Sequence, residues 1–148
     1  MIAQNFSLYL DAIQDPGNMG TILRIADWFS IPYVFCSPDC VEVWSPKVVQ
    51  ASMGACLRVD TFTIDFFDLK KQTPSVSVMV TALEGHNIFK ETMPRNGIVV
   101  IGNEGNGVRP AIAESADFLI HIPGGGGSES LNAAVATGIV CAQLIHGK

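Results

Sequence analysis

The chain has 148 residues, 48% hydrophobic and 16% charged, a composition that buries a core and excludes a disordered protein. Its 9 basic and 14 acidic residues leave a net charge of −5, which excludes a domain that grips nucleic acid by bulk electrostatics, because phosphate neutralisation needs clustered Lys and Arg. No apolar run is long enough to span a bilayer, and Met1 to Asn5 lacks the basic start and apolar stretch of a signal peptide, so the expected compartment is the cytoplasm.

Phe6 to Ile13 alternates like a strand and ends at the turn formers Asp15-Pro16-Gly17-Asn18. From Met19 the period becomes helical, with Ile22, Ile25, Ala26 and Phe29 on one face, and the helix is expected to stop near Ser30, since Pro32 disfavours helical backbone before it. Tyr33 to Cys36 reads as a strand. Ser45-Pro46 reads as a capped helix start leading into Lys47 to Gly54. Val59 to Ile64 is a further strand, and Asp65 caps a short helix to about Lys71. Val76 to Leu83 reads as a buried strand broken at Glu84-Gly85, and Gly97 to Ile101 as another broken at Gly102. Arg109-Pro110 opens a helix, Phe118 to Ile122 is the last strand, and Ser130 to His146 is a long apolar helix. This alternation predicts an α/β fold, a mostly parallel sheet with helices on both faces. With no internal repeat and no dividing linker, one domain over residues 1–148 is expected.

The four cysteines, Cys36, Cys40, Cys56 and Cys141, form no repeated close pair, and His86, His121 and His146 stand apart from them, so no zinc set is expected. Buried free thiols are the expectation instead.

In open parallel sheets, ligands bind beyond the carboxyl ends of the strands. Three loops there are unusual: Leu83-Glu84-Gly85, Gly102 to Gly107, and Ile122 to Asn132, which contains Gly124-Gly125-Gly126-Gly127-Ser128. Glycine suits a loop that lets a ligand or another backbone segment pass closely, and Leu83, Ile101, Ile122 and Leu131 offer apolar walls that suit an adenine ring. Gly102 to Gly107 runs G-x-x-G-x-G, which is not the dinucleotide fingerprint, and no nucleotide-triphosphate P-loop occurs.

Taken together and in order, these segments resemble the SpoU (TrmH-like) family of SPOUT methyltransferases. Asp15 to Arg24 is similar to the first family motif, Ile101-Gly102-Asn103-Glu104-Gly105 to the second, and Ile122-Pro123 with Ser130-Leu131-Asn132-Ala133 to the third; Ser45 to Gly54 resembles the middle helix. The resemblance covers nearly the whole chain. It implies a C-terminal trefoil knot, with bare backbone where segments pass one another, and a homodimer whose active site is completed across the interface. It also implies methylation of a ribose 2'-hydroxyl in tRNA or rRNA, with S-adenosyl-L-methionine as the cofactor.

By this resemblance Gly102, Ile122 and Leu131 hold the cofactor through backbone groups, with Asn103 and Glu104 beside them and Thr81 and Leu83 lining the pocket. Glu104, Ser130 and Asn132 shape the pocket floor, while Asn18 and Arg24 serve the reaction. Ser130 could equally be a plain cap of the last helix, with Asn132 in its first turn. A guanidinium is an awkward general base, so Arg24 is expected to clamp a substrate phosphate and stabilise the developing alkoxide, rather than merely pair with Asp27 on the helix surface. Asn18 orients the hydroxyl or caps its helix.

Two other readings stand beside this one: a SPOUT enzyme that methylates a base, and a non-catalytic module that keeps the fold to bind RNA or a partner. Asn18, Arg24 and Ser130-Leu131-Asn132 favour the ribose reading. Family members commonly carry an additional N-terminal RNA-binding domain, so the chain is expected to be a minimal form or a fragment lacking one.

Overall fold

The computed structural model describes residues 2–147. Six strands, β1 (Phe6–Leu10), β2 (Tyr33–Cys36), β3 (Asp60–Thr63), β4 (Val78–Asn87), β5 (Gly97–Ile101) and β6 (Phe118–His121), form one sheet in the order β3-β2-β1-β5-β4-β6. Every pairing is parallel. Five helices, α1 (Pro16–Trp28), α2 (Pro46–Ser52), α3 (Phe66–Gln72), α4 (Pro110–Glu114) and α5 (Ala133–His146), cover it.

Alternation along the buried strands sorts the core onto two faces. Leu8, Leu10, Val99 and Ile101 join α1, α2 and α5 in one cluster, while Tyr9, Phe35, Val80, Ile98 and Val100 join α3 and α4 in the other. The expected α/β architecture is therefore present, with helices on both faces. All four cysteines are free, and only Cys40 is less than fully buried.

Several boundaries differ from expectation. Helix α1 starts at Pro16, not Met19, because Asp15 is its cap: the carboxylate accepts the Asn18 N–H at 2.8 Å, and Pro16 needs no partner at the first position. Its end is built by Ser30 in the left-handed region (φ 56°), with the Ser30 N–H donating to Asp27 O and the Ile31 N–H to Ala26 O, a closure independent of Pro32. Ser45 precedes α2, but its hydroxyl makes no cap bond. Strand β4 does not stop at Glu84-Gly85. Thr81 and His86 both lie opposite Ile120, so the residues between them bulge out and the chain rejoins β6. Helix α5 begins after Ser130: Asn132 is the cap, accepting the N–H groups of Ala134 at 2.9 Å and Val135 at 3.2 Å.

Candidate functional site

The carboxyl ends of β1 and β5 are neighbours, and the loops leaving them are bonded to each other. After β5, Asn103 and Gly107 pair through both backbone N–H groups at 3.1 and 2.9 Å, and Asn103 Oδ1 accepts the N–H groups of Gly105 and Asn106. This fold-back explains Gly102, where a Cβ would lie 2.3 Å from Val108 N. Its glycine answers to the loop itself. The close backbone passage at Gly102 is thus with the far arm of its own loop, whereas at Gly124 to Gly127 a Cβ would meet nothing within 4 Å among the described residues. Asn103 Nδ2 then donates to Ala12 O at 2.7 Å and binds the loop to the end of β1.

Glu104, held by that loop, accepts the Asp15 N–H at 3.2 Å and Asn18 Nδ2 at 3.3 Å. Asn18 Oδ1 accepts Asn132 Nδ2 at 3.0 Å. Glu104, Asn18 and Asn132 thus form one chain of side chains that joins the 102–109 loop, the first turn of α1 and the cap of α5. Two strands, β4 and β5, separate β6 from β1, so the segment from Ile122 to Asn132 crosses over their ends before α5 packs beside α1. The chain also fixes the Asn18 amide. An acceptor-only carboxylate takes its NH2 group and a donor takes its oxygen, leaving one N–H and one lone pair free.

The other expected residues are less connected. Leu83 is 71% exposed and Leu131 49%, with Ile122 half-buried nearer the core, so apolar side chains stand open to solvent at this edge. Thr81 Oγ1 donates to Val100 O at 2.9 Å and is committed to the sheet. Ser130 is exposed and makes no hydrogen bond among the described residues. Arg24 is exposed on α1, about 9 Å further along the axis than Asn18 at 1.5 Å per residue. Its side chain has no hydrogen bond or ion pair among the described residues; Asp27, its alternative surface partner, is held by Arg58 at 2.8 Å.

A second charged group lies beside the loop of Glu104 and was not anticipated. Arg109 Nε is 3.3 Å from buried Asp11, and its Nη2 bonds Asp39. Burial pushes the Asp11 carboxyl above its ordinary value, whereas the Ser37 hydroxyl holds Asp39 below its own. Next to them, interaction between the two thiols lowers Cys40 and, with burial, raises Cys36. Asp15 could have been recognised from Asp-Pro at a helix start; the Asp11–Arg109 pair, 98 residues apart, leaves no local signal.

A cleft of about 730 Å³ opens at the other end of the sheet, near the start of β1 and the ends of α1 and α5, and contains none of these residues. Among the described residues, no group of three or more His, Cys, Asp or Glu is placed to hold a metal ion. No helix among them is long and apolar enough to cross a membrane.

The model of the SpoU rRNA Methylase family matches residues 5–142. A relative from Coxiella burnetii, named 23S rRNA (guanosine-2'-O-)-methyltransferase RlmB, is 36% identical over 89% of this chain and 54% of its own length. A putative RNA methyltransferase of the TrmH family from Porphyromonas gingivalis superposes with a TM-score of 0.90 at 38% identity, covering 99% of this chain and 61% of that one. The AdoMet-bound rRNA methyltransferase from Sinorhizobium meliloti gives 0.89 at 29% identity, covering 96% and 56%. The chain spans 50% to 63% of the length of the first curated relatives it matches.

Proposed function

The chain belongs to the SpoU rRNA methylase family, and from that premise we propose that it transfers a methyl group from S-adenosyl-L-methionine to a ribose 2'-hydroxyl of tRNA or rRNA. The observation that carries the reading is the Glu104–Asn18–Asn132 chain, which brings residues of all three family-like segments together at the carboxyl ends of the strands.

The exposed side chains of Leu83 and Leu131, with half-buried Ile122, fit a flat apolar base, and the backbone groups of the loops at Gly102 and Ile122 to Leu131 suit its polar edge. The cofactor, when bound, supplies an electrophilic methyl group on a sulfonium. Asn18 directs its remaining N–H toward the substrate hydroxyl, held in orientation by Glu104 and Asn132. Arg24 binds a substrate phosphate and stabilises negative charge as the hydroxyl gives up its proton to phosphate oxygen or water. Ser130 lines the loop that closes the site.

A homodimer completes this reading. Arg24 lies far from Asn18 along α1 and beside Trp28, one helical turn on, whose side chain is 81% exposed; Val135 on the neighbouring α5 is 52% exposed. An apolar face with an unpaired arginine suits a second copy, and Arg24 would then serve the partner's site. The reading also includes the C-terminal trefoil knot, supported by the crossing of Ile122 to Asn132 over the ends of β4 and β5. Residues 1–148 are taken as the catalytic unit, acting in the cytoplasm, with RNA selection left to a local patch, a further domain or a partner, in keeping with the net charge of −5.

The test is incubation of the protein with labelled cofactor and total RNA from a strain lacking it, followed by mapping of the label. A labelled ribose supports the reading. A labelled base favours the base-methylating alternative, and absence of cofactor binding by calorimetry favours a binding module.

A further inference from the structure

Asp11 is the one carboxylate among the described residues that is buried, its side chain 1% exposed, and the reaction proposed above does not use it. Burying a carboxylate is costly unless it is paired and hydrogen-bonded. Here Oδ2 accepts the Arg109 N–H at 2.8 Å, and Oδ1 lies 3.3 Å from Arg109 Nε. The guanidinium continues to Asp39, whose Oδ1 accepts Ser37 Oγ at 2.6 Å, and Ser37 Oγ in turn accepts the Ala12 N–H at 2.8 Å. Ala12 sits in the left-handed region (φ 55°), an unusual conformation for alanine, with its carbonyl taking Asn103 Nδ2. The network closes into a ring, and consecutive residues of one strand end hold both arms of the loop: Ala12 the near arm at Asn103, Asp11 the far arm at Arg109.

From this we infer that Asp11, acting through Arg109, is a positioning residue for the methyl-transfer site: it fixes the 102–109 loop so that Glu104 meets Asn18. The inference rests on the function proposed above. A displaced loop moves Glu104, and Glu104 is what turns the Asn18 amide toward its task. Small misplacements of this kind act on turnover more than on ligand binding.

Two variants test it. Asp11→Asn keeps an oxygen for the Arg109 N–H but removes the charge facing the guanidinium; Arg109→Gln keeps the backbone bond and removes the guanidinium. Each is expected to lower kcat about tenfold with the KM for cofactor within about twofold, and the double variant to be no worse than either single one. Exchange of the Gly105 and Asn106 amide hydrogens is expected to rise about tenfold in both variants. Wild-type kcat in a folded variant, or additive losses in the double variant, would overturn the inference. If Asp11→Asn does not fold, Arg109→Gln decides. If the wild-type protein itself transfers no methyl group, the methyltransferase reading falls on its own, and the exchange measurement decides the positioning role: unchanged exchange overturns it, faster exchange upholds it.

Discussion

Asn132 donates its side-chain N–H to Asn18 Oδ1 at 3.0 Å across 114 residues of sequence. One end of this bond caps α5 and the other lies in the first turn of α1, so a single residue starts the last helix and ties it to the first.

The two duties of Asn132 can be separated. Asn132→Asp keeps an oxygen for the N–H groups of Ala134 and Val135 but cannot donate to Asn18, so stability is expected to change by less than about 0.5 kcal/mol while methyl transfer falls at least tenfold. Asn132→Ala loses both, at about 1 kcal/mol of stability. Urea unfolding beside a turnover assay checks this; full activity in Asn132→Asp would remove the amide chain from the mechanism.

On the role proposed for it as a clamp of substrate phosphate, Arg24→Ala is expected to lower turnover by a factor of about 100 or more while calorimetry finds cofactor affinity nearly intact. In a dimer with sites shared between copies, mixing Arg24→Ala with Asn132→Asp is expected to restore about a quarter of wild-type activity, because half of the dimers regain one complete site. No restoration on mixing would place Arg24 and Asn132 of one site in the same chain, or make the active species a monomer.

Cys40 is expected to be the thiol that alkylates first. The neighbouring Cys36 thiol holds Cys40 below the ordinary cysteine value, so its reactive thiolate forms at lower pH than that of Cys141, which burial pushes up to about 12. Brief alkylation followed by peptide mass spectrometry should show Cys40 labelled at a lower pH than Cys141. In Cys36→Ala the labelling midpoint should move upward, because the neighbouring thiol that lowers Cys40 is gone; an unmoved midpoint would contradict that cause.

Gly20→Ala is expected to destabilise the protein by about 1–3 kcal/mol through overpacking. A Cβ there would lie 2.5 Å from Ala51 Cβ and 2.7 Å from Val48 O, where α1 crosses α2. Denaturant titration gives the answer directly; a neutral or stabilising change would mean that the two helices part easily.

Much of the fold was legible locally. Asp65 announced α3 by its cap, and Tyr33 to Cys36 and Gly97 to Ile101 coincide with β2 and β5 because each is a short apolar run between breakers. Departures arose where a local cue had a partner elsewhere. Glu84-Gly85 reads as a strand end, yet β6 lies alongside and the chain rejoins it after the bulge. Ser130 looks like a cap, but Asn132, two residues on, takes the helix N–H groups and reaches Asn18 as well.

From the sequence alone came the α/β class and the glycine-bearing segments at the strand ends, because periodicity, capping and glycine placement are properties of neighbours along the chain; the candidates Asn18, Glu104 and Asn132 came from the resemblance of three ordered segments to one family. Which of these side chains touch was decided only by the tertiary structure. Glu104 meets Asn18 across 86 residues, Asn132 meets Asn18 across 114, and Asp11 holds Arg109 across 98. Such contacts depend on strand order: β5 lies beside β1, and the chain leaving β6 returns over β4 and β5. That order is set by packing of the whole sheet, and no stretch of neighbouring residues encodes it.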